Sequence, residues 1–76
     1  MNTFQLSCFL AVAEHLNFAR AAEELHVTQP AVTQQIHSLE KELGATLFQR
    51  TTRKVSLTAE GLAFLSDAQQ IQALTH

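Results

Sequence analysis

The chain has no tryptophan or tyrosine, one cysteine, one proline and two glycines in 76 residues. A single Cys8 excludes a disulfide within the chain, which fits a reducing compartment. Its place inside an apolar run marks it as a buried thiol rather than a reactive one. So little Gly and Pro, beside 46% apolar residues, argues against disorder and for a compact, mostly helical domain. The longest apolar run, Cys8 to Ala13, is too short to cross a bilayer. No Lys or Arg precedes Arg20, so the start lacks the basic region of a signal peptide. The expectation is a cytoplasmic protein, or a piece of one, with one domain and a small core.

A second absence is more informative. Thr28 to Leu39, TQPAVTQQIHSL, holds no Asp, Glu, Lys or Arg. Exposed helix faces ordinarily carry charge, so an uncharged polar face needs a reason. The net charge of −2 speaks against nucleic acid if taken alone. Its distribution reverses that. Residues 1–42 sum to −3 and residues 59–76 to −2, whereas residues 43–58 hold Arg50, Arg53 and Lys54 with no acid.

Apolar groups at Leu6, Phe9, Leu10 and Ala13 recur with a helical period, with Thr3 as N-cap. Asn17 can cap a shorter helix over FARAAEEL, whose Ala21, Ala22 and Leu25 face inward. His26 falls where the chain must turn and tolerates positive φ better than most side chains. Thr28 is the next N-cap, and Pro30 lies in a first turn where its missing N–H costs nothing. Val32, Ile36, Leu39 and Leu43 then form an inward stripe over about residues 29–43, which Gly44 terminates. Leu47, Phe48, Val55 and Leu57 flank a polar basic tip, a hairpin pattern. Thr58 caps a last helix, in whose first turn Gly61 implies close packing.

With that stripe inward, Pro30, Gln34, His37 and Lys41 form the opposite ridge, flanked by Thr33 and Ser38, with Gln29 at the exposed first turn. Amides, hydroxyls and small apolar groups match the donor, acceptor and methyl patterns of base edges in a major groove. Free N–H groups at the helix start favour a phosphate near Thr28. A short helix, a tight turn and a longer helix make a helix-turn-helix unit. The basic hairpin would be its wing, with Arg53 and Lys54 able to enter a minor groove or grip phosphates. The fold expected is mainly α: a three-helix core, a two-stranded wing and a C-terminal helix. On that last helix, Leu62 and Leu65 would close the core. Phe64, Ala68 and Ile71 would line a second seam for a partner helix.

An enzyme is not expected. No Ser or Thr has a local partnering motif, and no glycine-rich phosphate loop occurs. His15, His26 and His37 are eleven apart, not the three to five of metal pairs on one element, so no metal site is expected. The rival reading is a winged helix repurposed to bind protein, since fold does not fix function.

The stretch NFARAAEELHVTQPAVTQQIHSLEKELGATLFQRTTRKVSLTAEG closely resembles the amino-terminal winged helix-turn-helix of LysR-type transcriptional regulators. The resemblance covers about residues 2–70. It implies sequence-specific binding of double-stranded DNA by a dimer, with residues 1–58 as the DNA-binding domain and 59–76 as a linker helix joining two copies. It places Gln29, Pro30, Ala31, Thr33 and Gln34, with His37 on the same ridge, against bases. Thr28, Arg50 and Arg53 fall at backbone or minor-groove positions; the residue pattern adds Lys54 at the wing tip, Ser38 beside the ridge and Arg20 as a further cation for the backbone, and the wing spans 50–55. A small-molecule effector would bind a larger carboxy-terminal domain outside the present chain, leaving no cofactor here. The chain departs from the family pattern at Gln34, where members often carry Arg. It departs again at His37 and Ser38, often more basic in the family, and at Thr52, often Gly. These departures bear on base preference and imply weaker nonspecific attraction.

Overall fold

The structure is a computed structural model and describes residues 1–75; the expected 59–76 segment ends on His76, outside the described residues. Four helices and one hairpin follow in the order α1 (Thr3–His15), α2 (Phe18–Leu25), α3 (Gln29–Leu43), β1 (Phe48–Arg50), β2 (Val55–Leu57) and α4 (Ala59–Thr75).

Asn2, not Thr3, caps α1. Its Oδ1 accepts the Gln5 amide at 2.8 Å and Thr3 becomes the first helical residue, consistent with the stronger capping preference of Asn. One stripe on α1 was too narrow an expectation, because α2, α3 and α4 all pack against this helix. Leu6 and Phe9 are buried as expected and Leu10 and Ala13 only partly, while Cys8, Ala11 and Val12 are also buried. Burial raises the pKa of the Cys8 thiol, which keeps thiolate scarce and the group unreactive.

The Asn17 side chain accepts the Arg20 amide at 3.0 Å and starts α2. His26 takes φ 58°, and the Val27 amide returns to the Ala22 carbonyl at 3.0 Å, closing the helix in a Schellman turn. Only His26, Val27 and Thr28 then separate α2 from α3. Ala21 and Ala22 are buried, so α2 and its neighbours approach without large side chains between them. On α3, Val32, Ile36 and Leu39 are almost fully buried, but Leu43 is 41% exposed. The last turn of α3 therefore projects beyond the core, and the inward stripe has three members, not four.

Phe48 pairs with Leu57 and Arg50 with Val55 in the antiparallel hairpin. Thr58 joins the hairpin to α4: its N–H donates to the Leu47 carbonyl at 3.0 Å and its Oγ1 accepts the Gly61 amide at 2.9 Å.

On α4 the sequence expectation holds for Leu65, which packs half-buried against the core, and fails elsewhere. Ala68 is fully buried, and Phe64 and Ile71 pack on the chain's own core, with the Phe64 ring edge-on to Phe9 at 4.9 Å. Leu62, expected inside, is 62% exposed. Ala68 therefore joins α4 to the core and is closed to a partner, while Phe64 and Ile71 are partly covered by that core. Periodicity found two apolar stripes, but only the position of α1 decides which one turns inward.

The two glycines have different causes. Gly44 lies at φ 67° with open space where a Cβ would stand, so its need is conformational. Gly61 has no unusual φ, but a Cβ there would collide with the Leu47 carbonyl oxygen, so its need is spatial. Gly44→Ala should cost about 1 kcal/mol from the left-handed conformation. Gly61→Ala should cost about 3 kcal/mol, because the obstacle is backbone that cannot rotate away. Thermal unfolding followed by circular dichroism checks the order of the two variants.

Candidate nucleic-acid interface

Once Val32, Ile36 and Leu39 are fixed in the core, the opposite side of α3 has no choice but to face outward. Pro30, Gln34, His37 and Lys41 are all exposed, as are Gln29 and Ser38, while Thr33 and Ala31 are half-buried. Gln29, Pro30, Thr33, Gln34 and His37 line one shallow surface. Its polar groups are two amides, a hydroxyl and an imidazole, and no acid intrudes.

The start of α3 offers fewer free amides than expected. Thr28 Oγ1 accepts the Ala31 amide at 3.3 Å, the Val32 amide bonds to the Thr28 carbonyl, and Pro30 has no N–H. Gln29 keeps the one first-turn amide without a partner within the described chain. The Thr28 hydroxyl hydrogen stays available to donate outward.

Both acids of α3 are already engaged. Glu40 lies one turn beyond Ile36 and turns under the helix, where its Oε2 accepts the amides of Leu47 at 2.7 Å and Phe48 at 3.3 Å. Glu42 pairs with the Met1 amino group at 2.6 Å. Neither carboxylate confronts the uncharged surface.

The wing tip has a defined shape. The Thr51 amide donates to the Lys54 carbonyl at 2.9 Å, and Thr51 Oγ1 accepts the Lys54 amide at 3.1 Å. Thr51, Thr52, Arg53 and Lys54 are exposed, and together with Arg50, Gln29, Thr33 and Phe18 they border one groove between the hairpin and the helix-turn-helix. Arg50 reaches back across this groove. Its guanidinium carbon stands 3.7 Å from the centre of the Phe18 ring, and one terminal nitrogen makes a weak 3.4 Å bond to Thr33 Oγ1.

Arg20 stands apart from the other basic groups. It borders a different hollow, lined with His15, Glu23 and Glu24. Across the α1–α2 boundary His15 Nε2 lies 2.9 Å from Glu24 Oε1, and Glu14 completes a trio within 4.8 Å. Histidine spacing could not reveal this trio, because the members come from two helices. Also missed from the sequence were the ring contacts of Phe18 and the bonds of Glu40, which was expected only to lie at the far end of α3 away from DNA. Both had a signal: Phe18 precedes Ala21, Ala22 and Leu25 at helical spacing, and Glu40 places a charge on the Ile36 stripe.

Three packed helices carrying a basic antiparallel hairpin and a further helix define a winged helix-turn-helix protein. Residues 4–62 match the family described as bacterial regulatory helix-turn-helix protein, lysR family, and the chain belongs to that family. It is 51% identical over 74 residues to the HTH-type transcriptional regulator TfdT of Cupriavidus pinatubonensis, covering 97% of this chain and 32% of TfdT. It is likewise 51% identical over 71 residues to ClcR of Pseudomonas putida, covering 93% of this chain and 24% of ClcR. The chain thus spans 24% to 32% of the length of these relatives. Among solved structures, the CbnR DBD–DNA complex superposes with a TM-score of 0.95 at 49% identity, covering 99% of this chain and 86% of that one. The BenM DBD/catB site 1 DNA complex gives 0.94 at 37% identity, covering 99% and 84%.

The Glu40 carboxylate is what holds the base of the wing against α3. Glu40→Ala strands two amides and should cost about 3 kcal/mol, and Glu40→Gln, whose carbonyl can still accept, about 1 kcal/mol. Glu42→Gln, at an exposed ion pair, should stay within about 0.5 kcal/mol of wild type. Urea unfolding measures all three, and faster hydrogen exchange at the Leu47 amide in Glu40→Ala identifies the bond that was lost.

Proposed function

We propose that this chain binds double-stranded DNA sequence-specifically as the DNA-binding part of a transcriptional regulator. In this reading α3 enters the major groove amino-end first, and the tip of the hairpin lies at the minor groove or its phosphates. One observation carries it: an outward surface of hydrogen-bonding but uncharged groups stands beside a braced basic tip, and every nearby acid is turned elsewhere. Gln29, Pro30, Thr33, Gln34 and His37 would address base edges, with Ala31 close to the helix start. Thr28, Ser38, Arg50, Arg53 and Lys54 would address the backbone. Binding by these side chains requires no cofactor, and any effector would act through a part of the protein outside this chain. That the CbnR and BenM neighbours are complexes with DNA supports the assignment.

Three phosphate contacts per copy, from Arg50, Arg53 and Lys54, imply a log–log salt slope near −3. Arg20 is omitted because it borders a hollow other than the wing groove. Affinity of one copy is then modest, and two copies on adjacent half-sites would about double the slope. The pairing surface would be the outer side of α4, where Leu62 is 62% and Leu74 87% exposed. Phe64→Ala is not a probe of this pairing, since it hollows the core against Phe9.

Selection of duplexes from a random pool, followed by titration at several salt concentrations, tests the reading. Arg53→Ala should lower the slope by about 1 and weaken binding roughly uniformly across sequences. Gln34→Arg should change the preferred base at one position. A module that binds protein instead would show neither effect with DNA. For the pairing, sedimentation should show a concentration-dependent dimer that Leu62→Lys weakens at least tenfold without lowering the melting temperature. A dimer indifferent to Leu62→Lys would exclude this side of α4.

A further inference from the structure

Phe18 is the residue that the proposed function leaves unexplained. It is the first residue of α2, only 6% exposed, yet it is no ordinary core side chain. Its inner side meets Phe48 edge-on at 6.0 Å, and its outer side carries the Arg50 guanidinium carbon at 3.7 Å from the ring centre. A cation over an aromatic face is attracted by the negative ring quadrupole, most effectively where water is partly excluded. Arg50 is exposed on a three-residue strand, and without a platform its side chain would sample many rotamers. Thr33 Oγ1 supplies a second, weaker tether from α3 at 3.4 Å.

We infer that Phe18 is a positioning residue: it holds the Arg50 guanidinium ready to receive a DNA phosphate in the groove between wing and helix-turn-helix. The inference rests on the proposed DNA-binding function and adds to it a residue that touches no DNA. The geometry is compatible with phosphate binding. A guanidinium attracted through its face keeps its in-plane N–H donors, and only one terminal nitrogen is engaged with Thr33. Arg50 therefore need not leave the ring to grip an anion. Ordering it beforehand removes an entropic cost from the binding step.

The test is a double-mutant cycle on the 76-residue chain, with a fluorescent duplex recovered by selection with the wild type. Phe18→Leu keeps an apolar side chain against Phe48 but removes the ring. It should weaken binding about three- to fivefold while leaving the salt slope unchanged, since no charge is lost. Arg50→Ala should weaken binding further and lower the slope by about 1, and Phe18→Leu should then add nothing in that background. Arg50→Lys, which leaves the core intact, should retain the slope yet lose affinity by a factor similar to Phe18→Leu. In the free protein, proton NMR should find the Arg50 side chain shifted upfield by the ring, a shift that Phe18→Leu abolishes.

Equal losses from Phe18→Leu with and without Arg50 would mean a purely structural ring and overturn the inference. So would full affinity in Arg50→Lys, tighter binding by Phe18→Leu, or an unshifted Arg50 spectrum. Failure of the wild-type chain to bind any duplex would overturn the proposed function itself, and the assignment of Phe18 with it. Wild-type binding with an additive cycle would overturn this inference alone.

Discussion

The arrangement of the whole surface depends on one carboxylate. Glu40 accepts two consecutive amides from the segment entering β1, joining the body of α3 to the hairpin alongside the weaker bond from Arg50 to Thr33. Backbone amides buried at the start of a short strand have few alternatives, and a charged acceptor is a strong one. The effect is to fix the height of the wing relative to the helix that would read bases. Groove width in DNA is set by the duplex, so a reader and a wing can engage together only if their separation is determined beforehand.

A second constraint runs through the aromatic rings. Phe64 meets Phe9, Phe9 meets Phe48, and Phe48 meets Phe18, with centroid separations of 4.9, 5.4 and 6.0 Å, and Arg50 stands over the last ring. Four of the five phenylalanines thus form a column from α4 to the groove. In a domain this small, the same groups that supply cohesion must also place the binding side chains. There is no separate scaffold on which a site is mounted.

Most of the fold was legible because the local signals agreed with one another. Asn17, Thr28 and Thr58 cap where their side chains predict, His26 and Gly44 turn with positive φ, and the hairpin forms between the two short apolar runs. The outward face of α3 was legible for the same reason, since burying Val32, Ile36 and Leu39 dictates what points outward. The failures share a physical origin. Leu43, Leu62 and Ala68 were misassigned, and the core contacts of Phe64 and Ile71 missed, because a helical period identifies stripes without saying which neighbour covers them. Arg20, and the bonds of Glu40 and Glu42, escaped because charge distribution along the chain says nothing of partners brought near by folding. Leu16 was missed as well: it takes φ 49° without being Gly or Asn, held there by its amide bond to the Val12 carbonyl at 2.7 Å.

The contact between Gly61 and Leu47 has a mechanical corollary. The carbonyl of Leu47 sits in the notch left by the missing side chain and also receives the Thr58 amide, so the first turn of α4 is seated on the foot of the hairpin. No slack remains between these two elements. Any side chain at position 61 would have to prise the helix off the strand it rests on, and the cationic tip lies at the other end of that strand.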